Sequence, residues 1–300
     1  MKIALFGKDG QVGWELQRSL SIVGEVLATE QDELDFERPD SLREWIRRHR
    51  PDAIVNAAAY TAVDQAESEP EKAERINAEA VGIMAEEARR LNAWLIHYST
   101  DYVFDGAKAA PYEEEDKANP LSVYGRTKWE GEEAIRSCHD RHIIFRTSWV
   151  FASRGKNFIK TILRLAKEKE SLRIIADQWG APTSAELLAD VTALALHRVL
   201  GGESESHLSG TYHLVAAGET TWHEYARYVL ALAQACGATL KIGPEAVTPI
   251  PTEAYPLPAK RPKNSRLSTA KVAQAFGVCV PDWQYHVRRS VDELIAQGAA

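Results

Sequence analysis

Five short apolar runs rich in β-branched residues divide the first half of the chain, at 2–6, 25–29, 53–58, 93–99 and 142–147. Between them lie stretches with helical periodicity at about 11–21, 40–50, 71–92 and 121–138, punctuated by Arg38-Pro39-Asp40, Arg50-Pro51-Asp52 and Asn119-Pro120. A strand that must reach a parallel neighbour needs a crossover of a dozen or more residues, and these intervals supply one each time. The pattern predicts an α/β fold with a Rossmann-type, doubly wound parallel sheet. In such a sheet ligands gather beyond the carboxyl ends of the strands, so residues just after each run carry the functional weight.

The first run leads into Gly7-Lys-Asp-Gly10-Gln-Val-Gly13 and then a helical pattern from Trp14. Glycines at this spacing permit a tight turn, close approach of backbone N–H groups to a pyrophosphate and close helix packing, while the helix N-terminus adds positive potential. An acidic residue about twenty positions on would hold the adenosine ribose. Glu30 follows the second run, with Asp32 and Asp35 near it. An acid there favours NADH, yet no arginine immediately follows that run, and the nucleotide preference stays open.

Tyr124-Gly-Arg-Thr-Lys128 places a phenol and an ammonium at i, i+4. On a helix these share a face, where Lys128 would favour the ionised phenol and bond the nicotinamide ribose. Thr100, at the end of the fourth run, would polarise a carbonyl that Tyr124 protonates. The plainer readings are an exposed helix pair and a turn residue at a strand end. A dinucleotide turn and a tyrosine acid together predict hydride transfer to a carbonyl.

Other classes recede. A net charge of −7 argues against a general nucleic-acid surface. No apolar stretch reaches the roughly 18 residues of a membrane span, and Met1-Lys2 runs straight into a strand, which predicts a cytoplasmic protein. Cys138, Cys236 and Cys279 lack ligand spacing, and His223-Glu224-Tyr-Ala-Arg227 lacks the second histidine of a zinc motif.

Beyond about residue 150 the regularity weakens, with prolines at 182, 244, 249, 251, 256, 258 and 262. Helices are expected at 157–169, 184–200, 221–236 and 284–296, and a strand at 211–215. The expected division is an NAD(P)-binding Rossmann domain over 1–150 and a smaller, loop-rich substrate lobe over 151–300, with the 211–215 strand a candidate for return to the first domain.

Several runs narrow the reading. They are Leu5 to Gly13, Val55 to Asp64, Ser99-Thr100-Asp101-Tyr102-Val103-Phe104-Asp105-Gly106, Val123 to Lys128, Arg146-Thr147-Ser148-Trp149-Val150, Asp177 to Thr183 and Arg261-Pro262-Lys263-Asn264-Ser265-Arg266-Leu267. In these the chain resembles the dTDP-4-dehydrorhamnose reductases, a subgroup of the extended short-chain dehydrogenase/reductases, over nearly its whole length. The resemblance implies reduction of the 4-keto group of dTDP-4-dehydro-L-rhamnose by NADPH, with NADH also accepted. It implies catalytic roles for Thr100, Tyr124 and Lys128. Cofactor contacts would fall on Gly7, Gly10, Gln11, Val12, Gly13, Glu30, Asp35, Phe36, Ala59, Tyr60, Thr61 and Tyr98, besides Tyr124 and Lys128. The dTDP-sugar would meet Thr100, Asp101, Trp149, Gln178, Asn264 and Arg266. It also implies a homodimer, with Mg²⁺ held between protomers by Glu15, Glu186 and Glu293; the plainer reading of these is three exposed helix glutamates.

Two alternatives stand beside this one. A nucleotide-sugar epimerase of the same scaffold would keep its NAD⁺ bound, and a dehydratase would need a further acid after Asp101, where the chain has Tyr102. A non-catalytic NADP-binding regulatory subunit, such as the partner of methionine adenosyltransferase, would need the pocket but no working acid.

Overall fold

The computed structural model describes residues 1–29, 34–201 and 207–298, so Glu30 and Asp32 lie outside the described residues. β1 (Lys2–Phe6) is fully buried from Ile3 to Phe6, which is why it reads as an unbroken apolar run. α1 (Gln11–Leu20) follows, burying Gly13, Leu16 and Leu20 on one face, and leads to β2 (Glu25–Ala28) and α2 (Pro39–His49). Next come β3 (Ala53–Asn56), the short α3 (Val63–Ala66), α4 (Pro70–Glu74), α5 (Ala80–Leu91) and β4 (Trp94–Thr100). α6 (Val123–Cys138) and β5 (His142–Thr147) complete the first half.

The second half contains β6 (Val150–Phe151), α7 (Phe158–Glu168), β7 (Leu172–Ile175), β8 (Trp179–Gly180), β9 (Thr183–Ser184) and α8 (Ala185–Val199). It continues with β10 (Gly210–His213), β11 (Thr220–Thr221), α9 (Trp222–Ala235), β12 (Val247–Ile250), α10 (Ala270–Phe276) and α11 (Trp283–Ala296). Among the described residues no helix is long and apolar enough to cross a membrane.

The main sheet has the order β10-β5-β4-β3-β1-β2, and every pairing in it is parallel. Successive side chains of a strand face opposite sides. Ile3, Leu5, Val55, Ile96, Ile143 and Phe145 accordingly join one apolar core with Leu16, Leu188 and Leu196. Ala4, Phe6, Ile54, Leu95 and Ile144 join another with Leu42, Ile46 and Met84. Helices therefore cover both faces, as the alternation predicted. Chain order reverses between β1 and β3, and a crevice opens at that point beyond the strand ends.

The expected helix over 71–92 is interrupted. A π turn at Arg75–Glu79 separates α4 from α5. The extra residue turns Asn77 inward, where its carboxamide bonds Tyr60 N (2.9 Å), Tyr60 O (3.2 Å) and Thr127 Oγ1 (3.2 Å). The strand within the run 53–58 ends at Asn56; Ala57, whose N still donates to Phe6 O (3.0 Å), and Ala58 line the crevice.

Candidate active site at the carboxyl edge of the sheet

The crevice encloses about 600 Å³ and is bounded by the β1–α1 turn, the ends of β3, β4 and β5, and the first turns of α6 and α9. Gly7 has φ +83°, and a Cβ on it would stand 2.6 Å from Ala58 N. A Cβ on Gly13 would stand 1.9 Å from Gly7 O, so α1 can rest on the turn only if position 13 is bare. Gly10 caps α1 without a side-chain acceptor, and Gly10, Gln11 and Val12 line the crevice. Backbone donors at a helix N-terminus, unscreened by a side chain, suit a pyrophosphate, so the residues present fit a dinucleotide. Gly13→Ala is expected to abolish nucleotide binding and lower stability by about 1–3 kcal/mol, read by titration calorimetry and urea denaturation.

Phe36, Ala59 and Thr61 line the same space, as does Tyr98, whose hydroxyl bonds Thr192 in the core behind it. Asp35 and Tyr60 are not among the lining residues. The Asp35 carboxylate accepts from Glu37 N (2.9 Å), and the Tyr60 hydroxyl donates to Glu69 (2.8 Å).

Ser122 caps α6 by accepting from Gly125 N (3.2 Å), which sets Tyr124 in the first turn and Lys128 one turn later. Tyr124 meets Tyr102 edge to face at 5.7 Å, and burial pushes its phenol up to about 12, with Thr100 drawing it back and Asp101 adding to the rise. Desolvation is the largest of these influences on the phenol. Lys128 is only 2% exposed; its Nζ donates to Tyr98 O (2.6 Å) and stands 3.2 Å from His97 Nε2. Burial brings its ammonium down to about 8, partly countered by Glu132.

Thr100 ends β4 with its hydroxyl accepting from Tyr102 N (3.2 Å) and 3.1 Å from Asp101 Oδ1. Its single proton can turn to Asp101 or to the phenol. Burial raises the Asp101 carboxyl to about 7, an effect reduced by the hydroxyls of Ser265 and Thr100. Thr100, Asp101, Tyr124 and Lys128 thus share one wall.

Trp149 stands in the left-handed region at φ +49°, unusual for a bulky residue. Its ring stacks on Trp222 with centroids 3.7 Å apart and planes at 16°, and both rings line the crevice. Trp222 carries no sequence signal, because its partner lies in a distant segment. Thr29, just after β2, and Ser148, just after β5, also line it, as their positions beyond strand ends predict.

Gln178, Asn264 and Arg266 have their polar atoms engaged within the chain, although the neighbouring Ser265 bonds Asp101 in the crevice wall. Asn264 Nδ2 donates to Lys108 O (2.7 Å) and Ala110 O (2.9 Å), while its Oδ1 accepts from Arg266 N (3.1 Å) and Nε (2.8 Å). Arg266 also meets Glu219 at 3.0 Å, and Gln178 donates to Thr252 Oγ1 (3.2 Å). These bonds tie loops together.

Within one chain each of the three glutamates already has a side-chain partner. Glu186 lies 3.6 Å from His286 and 4.0 Å from Arg289, Glu15 pairs with Arg18 at 3.4 Å, and Glu293 accepts from Gln297 (3.0 Å). Cationic neighbours compete with a divalent ion. Among the described residues no group of three or more histidine, cysteine or acidic side chains could hold a metal.

Comparison with known proteins gives this geometry its family. The model of the RmlD substrate binding domain matches residues 1–296. The chain belongs to that family. Among RmlD relatives, the dTDP-4-dehydrorhamnose reductase of Salmonella typhimurium is 51% identical over 298 residues, covering 98% of each chain. The crystal structure of the Bacillus anthracis dTDP-4-dehydrorhamnose reductase in complex with NADP superposes with a TM-score of 0.88 at 31% identity, covering 97% of this chain and 99% of that one. The UDP-glucose 4-epimerase of Thermus thermophilus, with NAD, has a TM-score of 0.79 at 20% identity over 100% of both chains, a likeness of fold alone.

Proposed function

We propose that this chain reduces the 4-keto group of dTDP-4-dehydro-L-rhamnose to give dTDP-L-rhamnose, using NADPH and accepting NADH. The observation that carries the reading is the single crevice in which the bare helix N-terminus at Gly10 faces the same space as Thr100, Tyr124 and Lys128. The nucleotide reductant supplies the hydride. Tyr124, held protonated by burial, is the acid for the developing alkoxide, and Thr100 is the second donor at that oxygen. Lys128 fixes the nicotinamide ribose and, while it keeps its proton, offsets the charge left on the phenol. Residues from about 151 onward serve mainly the sugar nucleotide, with Trp149 and Trp222 as the flat surface for it. The preference for NADPH rests on the NADP complex of the relative and on the family.

The deciding experiment mixes the purified protein and NADPH with a panel of 4-keto nucleotide sugars and follows nicotinamide absorbance. Consumption with dTDP-4-dehydro-L-rhamnose is expected; a protein inert toward the whole panel, or one retaining NAD⁺ through purification, contradicts the reading. Trp149→Ala is expected to raise the KM for the sugar nucleotide about tenfold or more while the Kd for NADPH changes little, since an aromatic stacking surface is worth about 0.5–1.5 kcal/mol beyond its buried area. Parallel losses for both ligands would place Trp149 elsewhere.

A further inference from the structure

A buried polar line runs beneath the crevice from β3 through β4 to α6. Asn56, His97 and Lys128 are 1%, 0% and 2% exposed. Asn56 Oδ1 accepts from Ala58 N at 3.1 Å, and since a backbone N–H can only donate, the atom there is the oxygen. The Nδ2 end therefore faces His97 Nδ1, at 3.0 Å, and donates to it. A ring nitrogen that accepts carries no proton, so the neutral imidazole must keep its hydrogen on Nε2. Nε2 is the nitrogen 3.2 Å from Lys128 Nζ.

An ammonium at Lys128 has only hydrogens to present, and it would meet the Nε2–H donor to donor. An amine has a lone pair that accepts Nε2–H, and it still donates to Tyr98 O at 2.6 Å. A charged ring is no escape, because desolvation and the adjacent Lys128 both hold His97 well below the usual histidine range. We propose that His97, oriented by Asn56, is a positioning residue that presents its Nε2–H to Lys128 and makes that lysine readily give up its charge.

The groups facing Lys128 divide by element. β4 contributes His97 and Tyr98, and its end carries Asp101; α6 itself contributes Tyr124 and Glu132. β5 contributes Arg146, whose charge is spent on Glu132 at 2.7 Å. Among the described residues only His97 is in hydrogen-bond reach of Nζ through a nitrogen whose proton is dictated by a third residue.

The inference rests on the reductase reading for its kinetic consequence alone; the ring tautomer is read without turnover. Long-range ¹⁵N–¹H correlation spectra of histidine-labelled protein, with His97 assigned by its loss in His97→Gln, are expected to show Nε2–H and bare Nδ1 from about pH 6 to 9. A ring protonated on Nδ1, or on both nitrogens, overturns the proposal. In Asn56→Asp the new carboxylate still accepts from Ala58 N but can only accept from the ring, so the proton is expected to move to Nδ1. Nε2 would then accept from the ammonium, and the basic limb of the kcat/KM profile should move up by about one pH unit. A flipped tautomer with an unmoved limb also overturns it. Should Asn56→Asp not fold, the wild-type tautomer decides the matter. Absence of turnover with every keto sugar would sink the reductase reading and leave the tautomer result standing.

Discussion

Tyr124→Phe is expected to lower single-turnover NADPH oxidation by about 10²–10⁴-fold while nucleotide affinity stays within about twofold of the parent. The phenol is buried against Tyr102, and burial pushes it up to about 12, so at neutral pH the variant removes the acid without removing a charge from the fold. Residual hydride transfer would then depend on Thr100 alone as donor to the oxygen. Stopped-flow oxidation with a 4-keto sugar, beside a fluorescence titration of NADPH, separates the two effects. Unchanged oxidation would remove Tyr124 from the reaction; a matching loss of affinity would make it a binding residue instead.

The second large effect concerns stability. Glu132 is fully buried in α6, and Arg146 of β5 is only 2% exposed. Arg146 Nη2 and Nε donate to Glu132 at 2.7 and 3.0 Å, and the guanidinium lies over Phe104 at 5.1 Å. Burial alone would raise the Glu132 carboxyl, but Arg146 and Arg136 together hold it below the usual carboxylate value. A group depressed in this way stabilises the fold above its unfolded pKa and loses that contribution as pH falls through the folded one. Arg146→Met strands the carboxylate, an expected cost of about 3–5 kcal/mol at neutral pH by urea denaturation. The deficit should narrow on acidification, when Glu132 can take up a proton. Adding Glu132→Leu to Arg146→Met is expected to recover most of the loss, because the unpaired charge is gone. A neutral-pH deficit that stays under about 1 kcal/mol would show that Arg136 or water already satisfies Glu132.

The sheet was legible because its strands are buried on both faces and so appear as continuous apolar runs; Ile54 and Val55 serve opposite cores from adjacent positions. The glycine turn and the Tyr124–Lys128 pair were legible for a local reason, since each depends on spacing within a few residues. Polar residues far along the chain were not. Asn264 and Arg266 look the same in sequence whether they face a ligand or the backbone of Lys108 to Ala110, and only the tertiary path decides. Asn56 and His97 carry no local signal, because their meaning lies in each other across the β3–β4 pairing. The π turn escaped because the Arg75–Glu79 segment carries no helix breaker, and the signal is the contact that Asn77 makes with α6.

Asn77 has a mechanical consequence. Its amide clasps the Tyr60 backbone on one side and Thr127, beside Lys128, on the other, so the rim at Tyr60 and the tyrosine-bearing helix are riveted together. Neither can swing outward without leaving a buried amide short of partners. The wall facing this rivet is built differently, from two indoles held by stacking alone.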